Sequence, residues 1–311
     1  MLEGISKESS LSLLTSQLLA VWPEHEKFLR KSFEKRDSDL LETSHEVADK
    51  ILRIVGPRLK EYLASYRWTC EMLTEEELFF RRENRYRYSK LSDAIGKVYG
   101  VDNFMTPYVQ GLLLTQVLWE NHIRAIHSYR HYLTETNGTR HLEIGPGHGL
   151  LLFFATLSNP QKIAAWDISE SSLNETKKCL EKLSAQSQIQ YQQINVSSPN
   201  ALAVCKEKFD TIVLSEILEH TENPREILEN LKQILSDRGK IYINVPSNCP
   251  APDHIYYFSG EPDVVSMVRD AGLKIRQIRS FPMTGYSLEA AKKRRATISH
   301  IVIASLTDSV Q

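Results

Sequence analysis

Three glycines at alternate positions, Gly145, Gly147 and Gly149, stand in HLEIGPGHGLLLFFATL, residues 141–157. An apolar, strand-like run leads in and an apolar, helix-like run leads out. Glycine lets the backbone turn sharply and approach a ligand closely, so this loop predicts a nucleotide-like ligand beyond the carboxyl end of a strand. A dinucleotide site has the spacing G-x-G-x-x-G; here the third glycine falls one residue early. Glu143, just ahead of the loop, would repel a pyrophosphate and suits a cationic ligand. Asp167 ends the next strand-like run, where a carboxylate can accept both hydroxyls of a ribose. Asn195 follows a third run; its amide can read an adenine edge, with Val196 beside the ring. The segment VLSEILEH closes a fourth run and sets Ser215 and Glu216 at the border of the ligand.

A second cluster lies nearby. Glu216, Glu219 and His220 stand at i, i+3 and i+4, so they share one face if the segment is helical. PDHIYYFS supplies His254 after a fifth strand-like run. Two carboxylates and two imidazoles converging there can bind a divalent metal. Without a metal, His220 and His254 are the candidates for a general base, because an imidazole titrates near neutral pH. His148, inside the glycine loop, reads as a residue that caps or lines the ligand site.

The elements that must position these residues fall into two grammars. Residues 1 to about 135 read as helix, with Val47, Ile51, Ile54, Val55, Leu59 and Leu63 forming a stripe at helical spacing. Gly56-Pro57 predicts a kink or break in that run. Thr106 and Pro107 predict a helix start over DNFMTPYVQGLLL, with Thr106 as N-cap. From Thr136 onward, strand-like runs alternate with helical ones, which predicts right-handed βαβ units and a mostly parallel sheet. The last two strands lack a full helix between them and are expected to pair antiparallel at a sheet edge.

Taken together, LEIGPGHG, AWDIS, FDTIVLSEILEHTENP and GKIYINVPS resemble, in order, the motifs of the class I S-adenosylmethionine (SAM) methyltransferases, over residues 138–306. The resemblance implies an α/β fold: a Rossmann-like, mostly parallel seven-stranded sheet with an antiparallel last strand over residues 136–311. An all-α cap domain over residues 1–135 would precede it and shape the acceptor pocket. It implies SAM as cofactor, with Glu143, Gly145, Gly147, Gly149, Asp167, Ile168, Asn195, Val196, Ser215 and Glu216 lining its pocket. Many relatives carry Asp where Asn195 stands. The implied reaction moves a methyl group to an oxygen or nitrogen of a small molecule, as in secondary metabolism, with His220, His254 and Tyr108 as catalytic candidates. The E-x-x-E-H element with a distal histidine is also similar to the metal site of small-RNA 3′-end methyltransferases. A metal-dependent RNA-end methyltransferase, with metal on Glu216, Glu219, His220 and His254, is therefore the alternative enzyme. The non-enzymatic alternative is a SAM-binding interaction module.

Bulk properties narrow the partners. The 311 residues carry 38 basic and 39 acidic side chains, a formal charge of −1, which does not fit a duplex-coating protein. Cys70, Cys179, Cys205 and Cys249 form no CxxC pair, so neither a zinc ribbon nor a disulfide framework is expected. No apolar run reaches the roughly 18 residues of a membrane span, and the N-terminus lacks a signal-peptide pattern. The expectation is a cytoplasmic protein with a small-molecule acceptor and no membrane partner, its oligomeric state open and a homodimer compatible. Met105, Tyr108 and Gln110 read either as substrate contacts or as packing. Two basic runs stand apart from this scheme. FFRRENRYRYSK holds Arg81, Arg82, Arg85, Arg87 and Lys90 among aromatics and reads as a solvated helix face with glutamate partners, the alternative being a site for an anionic substrate or single-stranded RNA. AAKKRRA, residues 290–296, reads as a surface loop.

Overall fold

The computed structural model describes residues 9–307 except 100, 102, 103, 137, 138, 186, 199–201, 203, 204 and 206. The chain divides into two compact units. One comprises Met1–His127, Cys249–His254 and Phe281–Ile298; the other comprises Ser128–Asn248, Ile255–Ser280 and Ser299–Gln311.

The first unit is helical. Its helices are α1 (Ser10–Val21), α2 (Glu26–Phe33), α3 (Ser38–Val55), α4 (Leu59–Glu83), α5 (Leu91–Ala94), α6 (Met105–Leu118) and the start of α7 (Glu120–Glu135). Ser9 and Asp37 cap α1 and α3 by accepting from Ser12 and Leu40 backbone N–H groups. The α3 stripe is buried at Val47, Ile51, Ile54 and Val55, and Gly56-Pro57 ends the helix as expected. The α6 start differs from expectation. The helix begins at Met105, Thr106 makes no cap bond, and Pro107 sits in the first turn, where it lacks nothing but an N–H the turn does not use. Gly111 lets α6 approach α4: a Cβ there would lie 2.1 Å from the Thr69 hydroxyl and 2.9 Å from the Ser65 carbonyl. The buried guanidinium of Arg36 donates to the Ser32 and Val117 carbonyls and to the Ser32 and Ser44 hydroxyls, tying α2, α3 and α6 together.

The second unit is an α/β layer. Strands β1 (Arg140–Ile144), β2 (Lys162–Asp167), β3 (Ile189–Gln193), β4 (Phe209–Ser215), β5 (Leu235–Ser247), β6 (Leu273–Pro282) and β7 (Ile298–Leu306) form one sheet in the order β3-β2-β1-β4-β5-β7-β6. The first five pair in parallel and the sheet includes an antiparallel strand, so the expected fold class is observed. Helices α8 (Leu150–Leu157), α9 (Glu170–Lys182), α10 (Pro224–Lys232) and α11 (Glu261–Asp270) connect the strands. Alternate residues Ile212 and Leu214 on β4 and Ile241, Ile243 and Val245 on β5 pack with Ile227, Leu228 and Leu231 of α10. Burial on both faces explains the near-continuous apolar runs of these central strands.

The region between β6 and β7 corrects the sequence reading. Residues Leu288–Arg294 form a helix, α12, capped by the Ser287 hydroxyl on Ala290 N–H, where a surface loop was expected. Ala291 and Ala296 give it a small buried face. Among the described residues, no helix is long and apolar enough to cross a membrane.

Candidate functional site

Strand register brings the predicted residues to one level. Ile144 pairs with Trp166 on one side and Leu214 on the other, and Ser215 pairs with Asn244. Gly145, Asp167, Ser215 and Asn244 therefore all stand at the carboxyl ends of β1, β2, β4 and β5. The strand order reverses between β1 and β4, the place where open α/β sheets bind ligands.

The glycine loop holds its shape by three left-handed residues: φ is 61° at Gly145, 51° at Gly147 and 74° at Gly149. Only glycine adopts that region at little cost. Gly145 has a second reason, because a Cβ there would lie 2.2 Å from the Ile217 Cδ1. Gly145 N–H donates to the Trp166 carbonyl, and the Thr176 hydroxyl of α9 donates to the Gly147 carbonyl. His148 closes the loop: its Nδ1 accepts from the Leu150 N–H at 3.2 Å, at the start of α8. Burial pushes this imidazole down to about 4, so it is neutral and its Nδ1 is free to accept that bond.

Around the loop stand carboxylates in unusual states. Glu143 is 3% exposed, and its Oε2 accepts no hydrogen bond. Burial raises its pKa well above the ordinary range. Asp167 accepts from Ser169 N–H through Oδ1 and from the Ser172 hydroxyl through Oδ2. Each oxygen keeps a further lone pair, which leaves room for two ligand hydroxyls. Burial raises the Asp167 pKa, and the bonds from Ser169 and Ser172 oppose that rise. Ile168, next in sequence, is 55% exposed, a bare apolar surface beside this carboxylate. Asn195 is exposed, its Oδ1 accepting from Ser197 N–H, while Val196 is buried and its carbonyl accepts from Asn230.

The cluster at the end of β4 is not the single helical face expected. Only Leu218–His220 form a short 3-10 turn, and Glu216 precedes it with a left-handed φ of 55°. That conformation is strained for a non-glycine residue. It is held because Glu216 N–H donates to the Asn244 carbonyl, keeping β4 and β5 paired one residue past Ser215. The Glu216 side-chain Oε1 is buried, near the side chains of Glu219 and Asn244. Burial pushes Glu216 up to about 7, with the bonds from Glu219 and Asn244 acting against it. Glu219 is 1% exposed, and His220 Nε2 lies 3.8 Å from its Oε1. Asn244 donates to the Ser215 hydroxyl at 3.0 Å. Neither Asn244 Oδ1 nor Glu216 Oε1 accepts a hydrogen bond. Asn244 was not among the predicted residues; its signal in the sequence was a lone amide in the otherwise apolar run KIYINVPS.

The remaining candidates belong to the helical unit. Tyr108 is buried and its hydroxyl donates to Asp253 at 2.9 Å, which ties α6 to the segment 249–254. His254 in that segment places Nδ1 2.7 Å from the Cys249 carbonyl. A carbonyl only accepts, so Nδ1 carries a proton and donates it to this bond. Ile255 and Tyr256, the two residues after His254, both donate to the Glu219 carbonyl at 2.9 Å. Gln110 is engaged inside the bundle by Ser65 and Glu61. Met105 is half-buried and lies in the first turn of α6.

Comparison with known proteins agrees with this geometry. A family model described as a methyltransferase domain matches residues 118–280. The probable polyketide synthase 10 of Dictyostelium discoideum is 30% identical over 175 residues, 52% of this chain; the chain spans only 7% of that relative. An O-methyltransferase family protein from Burkholderia thailandensis superposes with a TM-score of 0.52 at 14% identity, covering 83% of this chain and 73% of its own. The N-methyltransferase NodS from Bradyrhizobium japonicum WM9 gives 0.45 at 17% identity over 60% of this chain and 86% of its own.

Proposed function

The chain belongs to the methyltransferase-domain family, the class I SAM-dependent methyltransferases, and from that premise we propose that it methylates a nitrogen or oxygen of a small acceptor, with a protonatable nitrogen favoured. The residues present fit the cofactor. Gly145, Gly147 and Gly149 form a cradle that a Cβ at the first would fill, Asp167 keeps lone pairs for a ribose, and Ile168 offers an apolar surface for a base. Glu143, acidic and with an unbonded oxygen, suits the cationic amino-acid portion. SAM, when bound, supplies an electrophilic methyl group.

The observation that carries the acceptor assignment is the buried set of oxygens at the ends of β4 and β5. Glu216 Oε1 and Asn244 Oδ1 lack donors, and Glu219 adds a second carboxyl. Leaving buried acceptors unbonded costs about 1–3 kcal/mol each, so the set is complementary to a donor-rich group. An amine offers two or three N–H donors where a hydroxyl offers one. Glu216, with its pKa raised to about 7, is the group best placed to take the acceptor's proton. His220, beside Glu219, is a candidate for passing that proton on. Within the helical unit, Tyr108 holds the segment that carries His254 through Asp253. The match to a polyketide synthase segment supports a small acceptor of biosynthetic type.

The test is methyl transfer from labelled SAM to matched amine and alcohol acceptors. Turnover of amines, with kcat lowered at least tenfold in Glu216→Gln, is expected. Turnover of alcohols alone would overturn the nitrogen preference. A second reading is the divalent cation expected from the E-x-x-E-H element, for which Glu219 and His220 in the sheet unit offer a neighbouring carboxylate and imidazole. Activity abolished by EDTA and restored by Mg²⁺ or Mn²⁺ would establish it.

A further inference from the structure

The two basic runs, some two hundred residues apart in sequence, meet within the helical unit. Helices α4 and α12 end against each other, each closed by a left-handed residue, Asn84 with φ 55° and Arg295 with φ 51°. The Arg295 guanidinium donates to Asn84 Oδ1 and lies 5.1 Å over the Phe80 ring. Arg81 of α4 donates to the Arg294 and Arg295 carbonyls. The two runs thus become one surface. Residues 76–87 and 288–295 together hold eight cations (Arg81, Arg82, Arg85, Arg87, Lys292, Lys293, Arg294, Arg295) and four carboxylates (Glu76, Glu77, Glu83, Glu289). That excess stands out in a chain whose net charge is −1.

Part of the charge has structural work. Arg81 pairs with Glu77, Arg82 with Glu83 and Arg87 with Glu76. Basic side chains also stabilise helix C-termini. Lys292, Lys293 and Arg294 form the last turn of α12, where their charge suits the helix C-terminus, but all three are exposed and their side chains make no ion pair with the described residues. On the other run, Arg82, Arg85 and Arg87 stand over the half-buried Phe79 ring at 5.7, 5.3 and 4.4 Å, a planar cationic platform.

We infer that the abutting C-terminal ends of α4 and α12 are a docking surface for the acidic face of a partner protein. The interleaved Glu76, Glu77, Glu83 and Glu289 decide against a nucleic acid, whose evenly spaced phosphates would meet four carboxylates within the patch. A folded acidic surface, with its own scattered cations, tolerates that mixture. Such a surface gains chiefly in association rate and partner choice, and the gain falls with salt.

The test uses the full chain and a fluorescent acidic peptide whose glutamates are interspersed with serines and an occasional lysine, followed by anisotropy. Saturable binding at low ionic strength is expected, weakening steeply towards about 0.15 M salt. Lys292→Glu/Lys293→Glu should weaken it at least tenfold, and Arg82→Glu, on the other run, should weaken it as well. Loss in one variant but not the other would refute a joined surface. Absence of peptide binding, or tighter binding of a single-stranded oligonucleotide of equal charge, would overturn the assignment to an acidic protein.

Discussion

Glu216 is the residue on which the proposed chemistry turns. The proposed role as base requires the ionised form, and burial raises its pKa to about 7. The rate should therefore rise with pH up to about 7 and level off above it; a Glu216→Gln variant should lose that limb. Stability runs the other way. The folded pKa lies above the unfolded value of about 4.5, so the native state binds more protons between them and stability falls as pH rises through that window. Glu216→Gln should melt near the parent at pH 4 and above it at pH 8, by up to ~3 kcal/mol for this size of shift. Equal melting of both proteins across pH would refute the buried ionisable state. The i, i+3, i+4 spacing of Glu216, Glu219 and His220 pointed to this cluster, but the wrong geometry was expected. Whether a residue just past a strand turns left-handed depends on the neighbouring strand. Here it is the Asn244 carbonyl that holds Glu216, a contact that sequence spacing does not record.

At the scale of elements, the glycine loop was legible because three positive-φ positions in five residues leave little choice of residue type. Gly145→Ala should abolish cofactor binding: the methyl group would strike Ile217 in a conformation already unfavourable to alanine. Gly111→Ala makes the matching test in the helical unit. Its Cβ would meet Thr69 and the Ser65 backbone, so it should destabilise the protein by about 1–3 kcal/mol. Affinity for S-adenosylhomocysteine in the folded variant should be unchanged, and a calorimetric titration distinguishes the two effects. The strand-like runs were legible too, most clearly the apolar ones of β1, β2, β4 and β5 inside the sheet, as was the break at Gly56-Pro57. Periodicity missed α12, because a seven-residue helix with Ala291 as its buried contact has too few apolar positions to show a period. Its capping serine, Ser287, and the basic last turn were the available signals.

For the whole molecule, sequence and structure agree on an α/β sheet unit and a helical unit, though segments 249–254 and 281–298 join the helical one. Chain order alone does not show that, since both segments follow strands of the sheet. The predicted cofactor residues all lie in the sheet unit, while Tyr108 and His254 lie in the helical one. S-adenosylhomocysteine, bound by the folded sheet unit, should stabilise the protein against unfolding by about 2.7 kcal/mol at a hundredfold excess over Kd. The most direct test of the account is calorimetric titration of S-adenosylhomocysteine into the parent and into Asp167→Ala. One site per chain is expected in the parent and affinity at least tenfold weaker in the variant, because the half-buried Asp167 carboxylate would no longer accept from two ribose hydroxyls. Equal affinity in both proteins would contradict it.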